Sequence, residues 1–195
     1  MWHTNVTSWP ASSHHTAITC GMMLAKFGFM MRFQRLGLGA FPNVAIAVLD
    51  TAGGRITRLP QPSGMSFWPA WSPDGRWITF TSIAVPSRRL TMQIVRADGS
   101  GEARAFPDST VRAETPAWSR DGSRIAFQWS KDGNTDIYVV NVDGTGLQRL
   151  TTGPDLEEVP SWSPHGRIAF QSDRSGKMEI WIMNADGSGP RQLTR

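Results

Sequence analysis

The chain has 195 residues, of which 39% are hydrophobic, so it is large enough to bury the core of an ordinary folded domain. Its formal net charge of +4 is not spread over a basic surface, because residues 1–49 carry three basic side chains and no acidic one, whereas residues 50–195 carry 17 basic and 16 acidic side chains. This nearly neutral part lacks the concentrated positive charge that binding to nucleic acid requires, so nucleic acid is not an expected partner.

Residues 1–43 contain no copy of the repeat that follows them, and we predict that this non-repeat segment is poorly ordered. The segment begins with Ser, Thr and His in place of the charged and apolar regions of a signal peptide, and no apolar run in the chain is long enough to span a bilayer. Neither a signal peptide nor a membrane span is therefore expected. Cys20 is the only cysteine, which excludes an intrachain disulfide. His14 and His15 adjoin each other in this polar start and are not interpreted as a metal site.

Residues 44–60, VAIAVLDTAGGRITRLP, are predicted to form two short strands around a turn. Three longer units follow them. The sequence AWSPDGRWITF at 70–80 returns as AWSRDGSRIAF at 117–127 and as SWSPHGRIAF at 161–170. A second marker, RADGSG, NVDGTG or NADGSG, recurs at a similar interval near 45 residues, which is typical of one four-stranded propeller blade. We predict blades at about 66–106, 113–151 and 157–194.

The residue types within each unit indicate an antiparallel meander. Trp71, Trp118 and Trp162 are expected to pack between neighbouring sheets. The Ser-Pro-Asp-Gly segment that follows the tryptophan suits a type I turn, and the next strands, such as RIAFQ and DIYVVN, are rich in β-branched and aromatic residues. Asp74 and Asp121 recur at equivalent turns, so they are interpreted as turn residues that hydrogen-bond to their own backbone, not as calcium ligands.

This pattern resembles the TolB-type propeller repeat, a WD-like unit whose wording is close to P-x-W-S-P-D-G-x-x-I-A-F, and the resemblance covers residues 68–194. Residues 44–60 resemble the last two strands of a preceding unit. The resemblance implies an all-β fold, a β-propeller of four-stranded antiparallel blades, with about three and a half blades in residues 44–195. For TolB itself it implies a periplasmic partner in the Tol-Pal envelope system.

Three and a half blades would not close a ring, since closed propellers usually have four to eight blades, and two broad apolar faces would be left exposed. Three explanations remain open. The first is that the chain is a fragment of a longer reading frame. The second is that its first 43 residues were recruited from elsewhere or translated from a shifted frame. The third is that two chains pair through their open blade edges and form one larger ring.

The chain contains no G-x-S-x-G, H-E-x-x-H, Walker or paired C-x-x-C motif. We therefore predict no catalytic residue, no metal ligand and no cofactor, and we expect no enzyme activity unless the chain is part of a longer enzyme. His165 occupies the turn position that Asp74 and Asp121 hold in the other units, and it is interpreted as a turn residue and not as a catalytic base.

The nearly constant turns share one end of each meander, and the unlike loops and links share the other end. Variable loops on a repeated scaffold are where binding tends to be located. We therefore predict a noncatalytic protein- or peptide-binding module. The alternative for each of these loop residues is that it is solvated and contacts no partner. The alternative is an accessory propeller of a larger enzyme related to prolyl oligopeptidase or dipeptidyl peptidase. The predicted contact residues are the charged residues of these loops and links, Arg88, Arg89, Arg112, Asp155, Glu157, Glu158 and Arg174.

Overall fold

The computed structural model describes the backbone of residues 5–8 and 15–20, together with residues 44–50, 52–108 and 110–195. The regular elements of these residues are β-strands. Within the same ranges no helix is long and apolar enough to cross a bilayer. The strands are β1 Asn5–Ser8, β2 His15–Cys20, β3 Ala45–Asp50, β4 Ile56–Arg58, β5 Gly64–Trp71, β6 Trp77–Ala84, β7 Leu90–Arg96, β8 Arg104–Ala105, β9 Ala113–Trp118, β10 Arg124–Lys131, β11 Asn134–Asn141, β12 Gln148–Arg149, β13 Glu157–Trp162, β14 Arg167–Ser172, β15 Glu179–Asn184 and β16 Arg191–Gln192.

The strands form four sheets of four strands each, and every sheet is an antiparallel meander of consecutive strands. We call these sheets blade 1 (β1–β4), blade 2 (β5–β8), blade 3 (β9–β12) and blade 4 (β13–β16). Blades 2 to 4 coincide with the three repeated units, because each unit carries a tight turn after its tryptophan and an Asp-Gly turn before its last strand. The predicted fold class, all-β with four-stranded antiparallel blades, is confirmed.

Blade 1 is more complete than the sequence indicates. Its strands β3 and β4 are the two strands predicted within residues 44–60, but β2 pairs with β3 from His15↔Asp50 to Cys20↔Ala45, and β1 pairs with β2. The described residues therefore contain four four-stranded sheets, where the repeat predicts three and a half. Strands pair through main-chain N–H and C=O groups, which do not depend on the repeat sequence, so β1 and β2 can complete the sheet without resembling the repeat. The rest of residues 1–43, including His14, lies outside the described residues.

The turn after each inner tryptophan is held by its own side chains. The Ser72 hydroxyl donates to the Asp74 carboxylate over 2.6 Å and accepts from the backbone N–H of Trp77 over 2.9 Å. In blade 3, hydrogen bonds from Ser119 and Ser123 lower the pKa of Asp121 to about 2. The carboxylates thus stabilise backbone turns, as predicted from their repetition.

The core lies between the blades. Three clusters of buried hydrophobic side chains each join two successive blades, at the interfaces 1/2, 2/3 and 3/4. Trp71, Trp118 and Trp162 pack against these clusters, each one against the preceding blade. The 3/4 interface consists of Ala126, Ile137, Val139, Ile168, Phe170 and Met183, with Leu150, Trp162 and Trp181 packed around them.

Candidate functional site

The loops between second and third strands and the links between blades lie at one end of the meanders. We call this end the loop face; it comprises residues 85–89, 106–108, 110–112, 132–133, 150–156 and 173–178. Hydrogen bonds join its segments: the Asn134 side-chain amide donates to the Gly153 carbonyl over 2.6 Å, and the backbone N–H of Leu156 donates to the Asp173 carboxylate over 2.8 Å. The opposite end, the turn face, carries the Ser-x-x-Gly and Asp-Gly turns of blades 2 to 4.

The first strands of blades 2 to 4 contact each other in sequence, β5 with β9 and β9 with β13, so they form the inner wall of the stack. Each of them contains a β-bulge close to the loop face. At each bulge the residue before a proline has a left-handed backbone, namely Trp68, Thr115 and Val159 with φ of 50°, 50° and 52°. This conformation is unfavourable for β-branched side chains such as Thr115 and Val159, so the surrounding contacts must hold it.

Gln128 provides such contacts for two of the bulges. This residue lies on β10, is 8% exposed, and its side-chain oxygen accepts hydrogen bonds from the Thr115 hydroxyl over 3.0 Å and from the Val159 backbone N–H over 2.9 Å. A single buried side chain therefore ties the inner strand of blade 3 to that of blade 4. In blade 2 the equivalent Thr81 hydroxyl donates to the carbonyl of Ala113 on β9 over 3.4 Å.

Two carboxylates lie next to these bulges on neighbouring inner strands. Glu114 directly precedes Thr115 and is 6% exposed, and Glu158 directly precedes Val159. Burial raises the pKa of Glu114, the negative charge of Glu158 raises it further, and the nearby Arg112 guanidinium lowers it in part. Val159, beside this pair, is 46% exposed although it is apolar. The inner edge of the loop face thus combines an exposed apolar side chain with two carboxylates and one arginine.

A second charged group belongs to blade 4. One carboxylate oxygen of Glu157 forms an ion pair with the Arg174 guanidinium over 2.6 Å and accepts from the Ser172 hydroxyl over 3.1 Å. The Arg174 guanidinium also lies over the Trp181 ring, 4.9 Å from its centroid. Burial raises the pKa of Glu157 in spite of the opposing hydrogen bonds and positive charge of Arg174. Arg174 is therefore anchored on its own blade, and the Glu157 side chain, 2% exposed, is the buried half of the pair.

Residues 35–195 match the family described as TolB beta propeller domain. The chain belongs to this family. A relative among TolB sequences is the Tol-Pal system protein TolB of Anaeromyxobacter dehalogenans, which is 44% identical over 115 residues, a match that covers 58% of this chain and 25% of that protein. This TolB-family chain therefore spans about a quarter of the length of that relative.

Two solved structures have a similar fold to this TolB-family chain. A TolB from Agrobacterium tumefaciens superposes with a TM-score of 0.70 at 24% identity, covering 92% of this chain and 60% of that one. A puromycin-hydrolyzing peptidase from Mycobacterium tuberculosis superposes with a TM-score of 0.64 at 17% identity, covering 100% of this chain and 30% of that one. At these identities the likeness concerns the fold alone.

In the TolB-family propeller the predicted contact residues lie in two areas, one on the loop face and one where the loop face borders the inner strands of blades 3 and 4. Arg88 and Arg89 lie exposed on the β6–β7 loop, where Arg88 has a φ of 54° and the charge of Arg89 acts on Asp108. The other predicted residues lie around the inner strands of blades 3 and 4. This second group consists of Arg112, Asp155, Glu157, Glu158 and Arg174. The negative charge of Asp155 adds to the rise that burial causes in the pKa of Glu157, and the other residues interact as described above.

The sequence interpretation missed Glu114, Gln128 and the three bulges. A signal for the bulges was present, because each unit has a proline two residues before its repeated tryptophan, as in WPAW, TPAW and VPSW. Pro116 lies inside β9, which begins at Ala113, and a proline within a strand is typical of a bulge. No comparable signal marks Glu114, because its interaction with Glu158 depends on the contact between the inner strands of blades 3 and 4.

Proposed function

We propose that this TolB-family propeller is a noncatalytic module that binds a protein or peptide on its loop face, next to the inner strands of blades 3 and 4. The observation that carries the proposal is Val159, an apolar side chain that is 46% exposed and held on a strained backbone beside Glu158. Strained residues persist where the surrounding structure holds them, and they concentrate at binding sites. The combination of an apolar residue with charged neighbours is typical of the contact surface of a protein partner.

The turn face is a poorer candidate for the contact surface. Its aspartate carboxylates already form hydrogen bonds within their own turns. Each accepts one from the backbone N–H two residues later, over 2.8 to 2.9 Å; these residues are Asp98, Asp143 and Asp186. The loop face differs from blade to blade in length and charge, as a surface that recognises one specific partner would. The Tol-Pal system named for the Anaeromyxobacter relative supplies the first partner to test, its Pal protein.

The test measures the affinity of the purified chain for Pal of Anaeromyxobacter dehalogenans by biolayer interferometry. We expect Glu158→Lys to weaken binding by at least about tenfold, because it reverses a charge at the centre of the contact and electrostatic complementarity sets specificity. The matched control is Glu102→Lys, the same charge reversal at an exposed position of the turn face, and it should leave the affinity unchanged. Equal loss in both variants, or no binding of the unaltered chain to Pal, contradicts the proposal in this form.

The second candidate function is an accessory propeller of a larger enzyme. It is favoured by the similarity of the full chain to 30% of a puromycin-hydrolyzing peptidase. In this case the loop face would border the entry to a catalytic domain and would not hold a separate partner. Reading the coding DNA on both sides of the 195-residue frame decides between the two candidates: a neighbouring G-x-S-x-G segment in frame supports the enzyme, and its absence removes this candidate.

A further inference from the structure

The inner strands of blades 2 to 4 carry one equivalent residue directly before the left-handed residue of each bulge. The three segments read FWPAW, ETPAW and EVPSW, and the first letter of each is this residue. In every case it pairs with the equivalent position of the second strand; the pairs are Phe67↔Thr81, Glu114↔Gln128 and Glu158↔Gln171. The inner wall therefore carries one aromatic residue and two carboxylates at equivalent positions.

Glu114 is a buried carboxylate without a hydrogen-bond partner. The residue is 6% exposed, and its side chain forms no hydrogen bond or ion pair with the part of the chain that the structure describes. Its oxygens are still reached by solvent, whereas Oε2 of the similarly buried Glu157 is enclosed and Oε1 of that residue is bound by Arg174 and Ser172. Burying a charge costs free energy unless an opposite charge and hydrogen-bond donors compensate for it. The Glu114 carboxylate therefore lacks such a group within the described residues.

Two carboxylates and one guanidinium make up the charged group around Glu114. Glu158 on β13 acts on Glu114 with its negative charge, and Arg112 on the link before β9 acts on it with its positive charge. The other charged residues of the strands that pack on β9 lie against groups of their own: Arg96 over Trp77, Arg124 over Trp162, Lys131 over Trp129, and Glu157 paired with Arg174. Two negative charges thus share one positive charge, and one further cation would balance them.

An aromatic surface borders this charged group. Phe67 and Trp68 lie on β5, which contacts β9 along the inner wall, and both residues are partly exposed. Their ring centroids lie 5.9 Å apart, so the two rings form one apolar surface. The strand β5 contains no charged residue. A peptide that lies across the inner strands would therefore contact aromatic rings at blade 2 and carboxylates at blades 3 and 4.

We propose that Glu114 and Glu158 together bind one lysine or arginine side chain of the partner. Phe67 and Trp68 contact an apolar side chain next to this cation. Lysine and arginine carry at least three N–H donors on a long apolar stem, so they reach a recessed carboxylate while the stem packs along the wall. Their hydrogen bonds to carboxylates are charge-assisted and therefore strong. This inference rests on the proposed function, because it assigns the chemistry of the partner that binds at the same site.

Selection from a phage-displayed library of random peptides on the purified 195-residue chain tests the proposal. We expect the enriched peptides to share a lysine or arginine with a large apolar residue at a fixed spacing from it. One selected peptide is then synthesised with its basic residue and with methionine in its place. Methionine keeps an unbranched apolar stem but lacks the charge, so it should weaken binding to the unaltered chain by at least about tenfold.

Glu114→Gln shows whether the cation is bound at this site. Glutamine keeps the shape of glutamate without its charge, so this variant should bind the basic peptide about tenfold more weakly and the methionine peptide as the unaltered chain does. Glu102→Gln, the same substitution at an exposed position of the turn face, is the matched control and should leave both affinities unchanged. If Glu114→Gln fails to fold by circular dichroism, Glu158→Gln makes the same comparison at the partly exposed carboxylate.

Equal loss of affinity for both peptides in Glu114→Gln would overturn the inference, because the residue would then act on the shape of the site and not on the cation. Enriched peptides without a shared basic residue would also overturn it, and a shared acidic residue would indicate Arg112 as the recognising group. Slower hydrogen exchange of residues 106–115 and 150–159 with such a peptide would leave the proposed function intact. A selection that enriches no peptide would contradict the proposed function and this inference together.

Discussion

Trp118 and Trp162 occupy the same position in successive blades, but their indole N–H groups differ in hydrogen bonding. The Trp118 N–H donates to the Thr79 hydroxyl of the preceding blade over 2.9 Å. Ala126 stands at the position of Thr79 in blade 3, and the buried Trp162 N–H has no hydrogen-bond partner in the part of the chain that the structure describes. The residue at the position of Thr79 therefore determines whether the tryptophan indole N–H of the next blade is hydrogen-bonded.

Thr79→Val tests the contribution of this hydrogen bond. Valine keeps the shape of threonine but removes the acceptor, and it leaves the Trp118 N–H buried and unpaired. We expect a loss of about 1–2 kcal/mol in the free energy of unfolding, measured by urea denaturation. The reciprocal variant, Ala126→Ser, supplies an acceptor near Trp162 and should increase stability by up to about 1 kcal/mol. Equal stability of the unaltered chain and Thr79→Val would show that the hydrogen bond contributes nothing.

Glu114 makes the stability depend on pH. Because burial and Glu158 raise its pKa in the folded chain above the ordinary value of 4.5, the folded state holds its proton more tightly than the unfolded state. The penalty for ionising Glu114 is absent below pH 4.5 and becomes complete as the pH rises through the raised pKa. Glu114→Gln should therefore be more stable than the unaltered chain at neutral pH and equally stable in acid.

Urea denaturation at a series of pH values measures this difference. Glu102→Gln, an exposed substitution on the turn face, is the matched control and should change the stability by less than about 0.5 kcal/mol at each pH. A Glu114→Gln variant that is less stable than the unaltered chain at neutral pH would mean that the charged carboxylate has a stabilising partner, and the assignment of desolvation as the main cause would be wrong.

The inner strands show what the sequence could and could not predict about the elements. The repeated WSPDG segments predicted the strands and the turns, because a turn depends on residues next to each other in the chain, such as Ser72 and Asp74. The bulges at Thr115 and Val159 depend in addition on a side chain of another strand, Gln128. The charge group around Glu114 depends on the packing of two blades. Contacts of this kind join residues distant in sequence, and a single sequence does not specify them.

Val159→Asn tests the strain at the bulge of β13. Asparagine tolerates a left-handed backbone better than a β-branched residue does, and Val159 loses little packing because it is 46% exposed. We expect this variant to be more stable by about 1 kcal/mol in urea denaturation.

Val85→Asn is the control for this comparison. Val85 is 47% exposed and also precedes a proline, but its φ is not positive, so the substitution should give no gain. A gain of the same size at both positions would indicate a general effect of the more polar side chain, and the strain assigned to Val159 would not be needed.

At the scale of the whole molecule, the described residues form four blades that share three continuous hydrophobic interfaces. The repeated sequence segments predicted blades 2 to 4 in full, and residues 44–60 predicted two of the four strands of blade 1. The other half, β1 and β2, joins β3 through main-chain pairing, and the sequence around His15 and Cys20 has no similarity to the repeat that could have revealed it. The blade count from the sequence was therefore incomplete at the position where sequence similarity ends.

Hydrogen exchange of the chain with and without saturating Pal tests most directly whether the loop face binds a partner. Backbone amides that become covered by a partner exchange more slowly, and mass spectrometry assigns the change to short peptides. We predict slower exchange in residues 106–115 and 150–159 and unchanged exchange in the turns at 97–103, 142–147 and 185–190. Protection of the turns in place of the loop-face segments, or no change in any peptide, would contradict the binding function proposed for this propeller.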